Sequence, residues 1–221
     1  MDAATDWVVS GGRYALDFDG VDDLVSFATI PALSTIASQS FWFRRGGISQ
    51  HCPGMGVGVI ASSANRFVIQ VWNNGVIYVT FGGSNWGSFA SNDLNWHHIA
   101  AVYDGSQSSN ATRLRVWLDG SQVSLSYTGT IPATIGSYTT MRIGQTFAGA
   151  ALGADPFGIG LFDSAMIHNR IMPESEIRLL ASRRGIAYER RKRRSVFFNA
   201  EFFNPAWARN SNVIISPVGA A

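Results

Sequence analysis

An all-β fold, two antiparallel sheets packed as a sandwich, is what this chain predicts, and three observations predict it. Glycine (23 of 221 residues) and aromatic side chains (12%) are plentiful while charged residues make up only 14%, a composition suited to short strands and tight turns. Apolar and polar side chains alternate with period two from residue 14 to about 168. Gly, Asn, Asp and Ser punctuate these segments throughout. At 46% hydrophobic, the chain is long enough for one large β domain with a sizeable core.

The elements follow in order. Residues 1–13, opening "MDAATDWVVSGG", form an N-terminal segment with neither a basic n-region nor an apolar run long enough for a signal peptide or a membrane span. Classical secretion and a membrane partner are therefore not expected. "YALDF", "LVSFA", "SFWFRR", "GVIAS", "RFVIQVW" and "GVIYVTF" read as strands. "GMGVG" at 54–58 lacks the strand-then-helix setting of a phosphate cradle and reads as a loop. "WHHIAAVYD" comes next, then "TRLRVWLDG", in which Leu114, Val116 and Leu118 take one face and Arg113, Arg115 and Trp117 the other. Asp119-Gly120 supplies the positive φ of a tight hairpin, after which "SQVSLSY" resumes the alternation. "TTMRIGQ" and "GIGLFDSAMIH" complete about a dozen strands. Only "PESEIRLLASRR" reads as a helix, with Ile177, Leu180 and Ala181 on one face and Glu174 and Glu176 at the positive end of its dipole.

The charge is divided unequally. Residues 1–180 carry nine arginines against eleven aspartates and two glutamates, a net of −4, whereas residues 181–221 carry seven arginines and Lys192 against Glu189 and Glu201, a net of +6. Basicity belongs to the end of the chain. The single cysteine, Cys52, excludes an intrachain disulfide and reads as a small core or turn residue rather than a reactive thiol. His97 and His98 resemble a metal pair, but strand neighbours point to opposite faces, so packing and hydrogen bonding is the better reading. Asn110-Ala111-Thr112 is a glycosylation sequon that, without a secretory signal, reads as loop sequence.

Several of these segments, taken together, resemble a known family. "YALDFDGVDDLVSF", then "NWHHIAAVYDG" with "LRVWLDGSQV", then "GLFDSAMIHNRIMPESEI" are similar, in kind and order, to the laminin-G-like, concanavalin A-type lectin and glucanase jelly roll, over about Tyr14 to Leu180. The resemblance implies a jelly-roll domain at 14–184 whose concave face and loops, in many relatives, bind sugars, proteins or calcium. One departure is Pro173, which stands where relatives often place a Ser or Thr cap. Glycosidases of this fold need two carboxylates on the concave face, yet the four glutamates are Glu174, Glu176, Glu189 and Glu201, so no enzymatic activity is expected.

Two candidate sites remain. "DFDGVDD" gathers Asp17, Asp19, Asp22 and Asp23 around a glycine turn, and hard oxygen ligands on a turn suit calcium. By the resemblance, Asp19 and Asp22 would be joined by Asp163 of the last strand in a stabilising site; the competing reading is turn hydrogen bonding. No cofactor is required. Trp72, Asn73, Asn74, Asn85 and Trp86 offer a stacking face and a polar edge for a saccharide, or the rings pack on neighbouring strands.

Residues 185–221 form a basic and aromatic C-terminal arm. "GIAYE" followed by arginines is similar to the endings of short laminin-G-like proteins encoded by bacteriophages. Arg190, Arg191, Arg193 and Arg194 precede Phe197, Phe198, Phe202, Phe203 and Trp207. An acidic domain argues against nucleic acid as the arm's target, and apolar rings argue against a solvated tail. Cationic forks beside aromatic anchors are the make-up of docking surfaces. The expectation is a non-enzymatic virion protein, assembled in the host cytoplasm on capsid or tail, with virion proteins and further copies of itself as partners. The alternative is a carbohydrate-binding adhesion module at the cell surface or outside the cell, with calcium and a host glycan as ligands.

Overall fold

The alternation read from the sequence resolves into strands in a computed structural model that describes residues 6–189 apart from 28–29, 31–32, 59–65, 83, 137, 139 and 145–156. In chain order the elements are β1 (Trp7–Ser10), β2 (Arg13–Asp19), β3 (Val25–Phe27), β4 (Ile36–Arg45), β5 (Cys52–Gly58), β6 (Arg66–Val71) and β7 (Val76–Gly82). There follow β8 (Asn85–Ala90), β9 (Trp96–Asp104), α1 (Asn110–Arg113), β10 (Leu114–Leu118), β11 (Ser121–Val123), β12 (Ser126–Thr128), β13 (Thr140–Gly144), β14 (Ile159–His168), α2 (Glu174–Ser182) and α3 (Ile186–Glu189). The chain divides into two units, 1–187 and 188–221, and every strand lies in the first.

The first sheet has the order β1-β2-β14-β4-β9-β10-β11 and the second β12-β8-β7-β6-β5-β13-β3. Every pairing is antiparallel. This is the two-sheet jelly-roll sandwich expected from the sequence. Strand β1 lies inside the segment 1–13 that the sequence sets apart, pairing Val9 with Tyr14 and Trp7 with Leu16.

The core between the sheets is aromatic at its centre. Phe41 stacks on Phe162 at 4.6 Å, Phe162 meets Phe18 edge-on at 6.2 Å, and Phe67 stacks on Phe81 at 5.0 Å. Such pairs add about 0.5–1.5 kcal/mol each beyond their buried area. Asp119 and Gly120 both have positive φ, +51° and +80°, as the hairpin from β10 to β11 requires. Leu114 and Val116 face the core as expected, and Trp117 on the opposite face is buried too.

That second buried face is the work of α2. Ala100, Val102 and Trp117 pack beneath Met172, Ile177 and Leu180, forming an apolar layer outside the first sheet. Ser38 Oγ donates to the Arg170 carbonyl at 2.7 Å and accepts from the Met172 amide at 3.0 Å, while Trp42 Nε1 donates to the Leu180 carbonyl at 3.1 Å. Both ends of the helix are thereby tied to β4. Pro173 is the N-cap and makes no side-chain cap, as its chemistry dictates; its carbonyl instead accepts from the Glu176 and Ile177 amides.

One expectation is corrected. Gly54–Gly58 is strand rather than loop, the centre of β5, with Met55 and Val57 fully buried in the core. Glycine lowers strand propensity, which hid the element; close packing explains it. A Cβ on Gly56 would stand 2.5 Å from Val68 Cγ2 and 2.7 Å from Val68 Cα on the paired strand. Gly56→Ala is therefore expected to cost about 1–3 kcal/mol by overpacking. Urea denaturation measures this, and a neutral substitution would contradict the strand packing.

Candidate functional site

The second sheet's outer face carries the expected stacking residues. Core-facing Phe67, Ile69 and Val71 of β6 and Ile77, Val79 and Phe81 of β7 leave Gln70, Tyr78 and Thr80 on the opposite side. Trp86 of β8 pairs with Thr80, and Ser88 with Tyr78. Three rings form a row: Trp72 meets Tyr78 at 5.7 Å and 66°, and Tyr78 meets Trp86 at 6.3 Å and 79°. His51 extends it, 5.1 Å from Trp72. Burial, with the nearby Arg45 charge added, lowers the His51 pKa and favours the neutral ring. Edge-to-face rings expose apolar faces and polar edges side by side, which is what a sugar ring requires.

Access is graded along this face. Arg66, Val68, Gln70 and Arg142 are buried, whereas Trp72 is 36% exposed and Trp86 half-buried. The reachable part is therefore the ring row. Arg45 positions it: the buried guanidinium donates to the Trp72 carbonyl at 2.8 Å and the Ser91 carbonyl at 3.0 Å. One cation thus gathers the ends of β4, β6 and β8.

Of the five saccharide candidates, the structure brings Trp72, Asn74 and Trp86 to the row. Asn74 accepts from the Val76 amide at 3.0 Å and donates to the Tyr78 hydroxyl at 3.3 Å, fixing that ring. Asn73 is exposed in the same turn. Asn85 does not offer a free amide: it accepts from the Thr130 amide at 2.9 Å and donates to the Gly82 carbonyl at 3.3 Å, holding two turns together. Tyr78 and His51 were not singled out from sequence. The alternation of "GVIYVTF" does place Tyr78 opposite the core, a usable signal; nothing local marks His51.

The acidic turn differs from its expected ligand set. Asp19, Asp22 and Asp23 come together, one carboxylate oxygen of each within 4.8 Å of the others. Asp163 does not join them. Its strand partner is Trp42, four residues along β14 from the Ile159 that pairs with Asp19, about 13 Å away at strand rise. Asp163 instead lies 3.4 Å from Arg184 Nε and accepts from Ser164 Oγ at 3.0 Å. The three grouped carboxylates are the hard donors calcium takes, and they also bond within the turn: Asp23 accepts from the Asp19 amide at 2.9 Å and Asp19 from the Val21 amide at 2.7 Å. Burial raises the Asp23 pKa, against the lowering effect of that amide, with the charges of Asp6 and Asp19 adding to the rise.

The remaining candidates are structural. Cys52 is buried in the core with its thiol pKa pushed up by burial. Asn110 spends its amide on the Gly129 carbonyl and the Ile131 amide, and Thr112 completes a capping box with Ser109, so the sequon is committed to loop closure. His98 is buried beneath α2, and burial holds its pKa down to about 4, hence neutral. The arm residues Arg190, Arg191, Arg193, Arg194, Phe197, Phe198, Phe202, Phe203 and Trp207 lie outside the described residues. No helix among the described residues is long and apolar enough to cross a membrane.

Comparison with known proteins follows from this geometry. The profile of the family described as "Concanavalin A-like lectin/glucanases superfamily" matches residues 19–178. Among curated proteins none matches the chain. Similar solved structures include domain 4 of an extracellular arabinanase from Geobacillus stearothermophilus in complex with arabinotriose, at TM-score 0.55 and 17% identity over 79% of this chain and 80% of that one. A native heptameric pentraxin from Limulus polyphemus aligns at 0.50 and 15% over 75% and 80%. Domains LG4-5 of the mouse laminin alpha1 chain align at 0.51 and 11% over 79% and 46%. At these identities the likeness is one of fold.

His97 provides a measurable handle on the sandwich edge. Nδ1 lies 2.7 Å from Asp119 and Nε2 2.9 Å from Asp93. The Asp119 hydrogen bond raises its pKa, and the Asp93 bond adds to the rise against opposing burial. The cation alone can donate from both ring nitrogens. Because the folded value exceeds the unfolded value of about 6.5, this stabilisation is complete below about pH 6.5 and is lost as pH rises through the folded value. His97→Gln should lower Tm most at acidic pH and progressively less above neutrality. Calorimetry across pH checks this; a pH-independent difference would contradict it.

Proposed function

Because the chain belongs to the concanavalin A-like lectin/glucanases superfamily, we propose that it is a non-enzymatic, lectin-like module. It takes a saccharide on the ring row of its second sheet and is held on a larger assembly by its C-terminal arm. The observation that carries the saccharide reading is the row itself, Trp72, Tyr78 and Trp86, set by Asn74 and Arg45. The arabinotriose of the arabinanase domain is one example of a saccharide taken by this fold. Among the described residues, the strands of the second sheet contain neither aspartate nor glutamate, which speaks against a strand-borne carboxylate pair for glycoside hydrolysis on its outer face. Calcium belongs to this reading as a stabilising ion on Asp19, Asp22 and Asp23.

A glycan array followed by titration calorimetry, each with calcium and with chelator, tests the site. Trp72→Ala and Tyr78→Ala should each weaken binding tenfold or more, about 1.4 kcal/mol, while chelator lowers Tm more than affinity. No saccharide bound by the unaltered protein at millimolar concentration would overturn the reading.

The arm supports display on a virion. Its basic run followed by paired phenylalanines joins carboxylate-binding forks to apolar anchors, the make-up of a partner-docking segment. The competing place is the cell surface or the extracellular space. Truncation after Ala187, the end of the first unit, is expected to abolish association with purified particles while leaving the sandwich's Tm within a few degrees. Intact protein that never co-purifies with particles would remove the virion reading, and truncated protein that still does would remove the arm as the anchor.

A further inference from the structure

Of the four strands that end the two sheets, β1 is the least protected. Strands β3, β11 and β12 hold three residues each, and β11 and β12 are mostly polar. Strand β1 has four, Trp-Val-Val-Ser, with none of the lysine, proline or bulge that blunts an edge. Among the described residues its only strand partner is β2.

The hairpin register settles which backbone groups of β1 are committed. The Asp17 amide donates to the Asp6 carbonyl at 2.8 Å, so these two form a hydrogen-bonded pair, and such pairs alternate along an antiparallel ladder. Val8 and Ser10 therefore bond to β2, while the N–H and C=O groups of Trp7 and Val9 point to the open side. The side chains of the same two residues are 54% and 66% exposed, and Tyr14, paired with Val9, is 68% exposed. Leu16, paired with Trp7, packs against the core, so this apolar strip lies on the sheet face that looks toward the second sheet.

We propose that β1 pairs antiparallel with β1 of a second copy of this chain, about a twofold axis perpendicular to the first sheet at Val8. This register uses every outward backbone group of the strand: Trp7 exchanges two hydrogen bonds with Val9 of the second copy, and Val9 exchanges two with Trp7 of the second copy. An axis at Trp7 or at Val9 would leave one of the two without a partner inside β1. The side chains match in the same register. Each indole lies beside a valine across the seam, and the strip runs on from Tyr14 of one copy to Tyr14 of the other. No charged side chain stands on β1, and the antiparallel direction keeps the two Asp6 residues at opposite ends of the seam.

The exposed parts of Trp7, Val9 and Tyr14 amount to roughly 400 Å² per copy, about half of a standard interface. The dimer is accordingly weak and forms as concentration rises. An axis perpendicular to the sheet is isologous and keeps both second sheets on one side of the joined first sheets. The two ring rows then face the same way, so a pair of weak saccharide sites engages one glycan-bearing surface together, which raises avidity. That consequence rests on the saccharide reading; the pairing itself does not.

Disulfide trapping in the full-length chain tests the register, since Cys52 is buried and does not compete. Across the axis the two Val8 Cα atoms stand about 4.5 Å apart, within disulfide range, whereas the two Val9 Cα atoms stand about 8 Å apart, beyond it. Under mild oxidation Val8→Cys is expected to give at least fivefold more covalent dimer than Val9→Cys, although Val9 is the more exposed. Equal yields, or no covalent dimer, would overturn the proposal. By light scattering the unaltered chain should dimerise as concentration rises, and Val9→Lys should raise the dissociation constant tenfold or more with Tm unchanged. A dimer indifferent to Val9→Lys would be held elsewhere and would equally overturn the pairing. A chain that passes both tests yet binds no saccharide would remove the saccharide reading alone and leave the pairing standing.

Discussion

Burial of the first sheet on both faces is the constraint on which the rest of this structure depends. One face meets the second sheet through Phe18, Phe41 and Phe162; the other meets α2 through Ala100, Val102 and Trp117. A strand buried on both sides cannot alternate, and "HHIAAVY" in β9 shows the consequence, a nearly continuous apolar run. Small residues on the outer side, Ala100 and Ser38 among them, let the helix segment approach closely enough for its backbone carbonyls to be bonded by Ser38 and Trp42. The end of the helix then falls where Arg184 reaches Asp163, Trp96 and the Ser10 carbonyl.

The second sheet has no helix on its outer side among the described residues, and its surface is used differently. Gly56 lets Val68 lie against the β5 backbone, and the polar side chains nearby are buried. Toward β8 the surface becomes aromatic and reachable. Arg45 connects the two halves of the protein. It belongs to a central strand of the first sheet, yet its guanidinium holds carbonyls at the ends of the second sheet's strands. Burial lowers its pKa; carbonyl hydrogen bonds compensate the loss of water. One sheet supplies cohesion and the other presents rings.

Legibility followed the range of the interaction. The strands β2, β4, β6, β7, β9, β10, β13 and β14 were readable because alternation is local, and the hairpin at Asp119-Gly120 because positive φ is a property of two residues. The helix α2 was readable from its apolar face, and its uncapped start from Pro173. Strand β5 was missed because its glycines deny local propensity while long-range packing rewards them. The aspartate turn was recognised with Asp23 in it, but Asp163, joined to it by resemblance, is claimed by Arg184. Asn85 was selected for its chemistry, which the tertiary fold spends on Thr130 and Gly82.

Sequence by itself determined the sandwich, its turns, the single long helix and the separation of an acidic domain from a basic arm, because periodicity, turn chemistry and charge are written in neighbouring residues. Only the tertiary structure decided that Tyr78 and His51 complete a ring row and that Asp163 serves Arg184. Those outcomes depend on which distant strands become neighbours, and pairing across the sheets is settled by packing rather than by any local pattern.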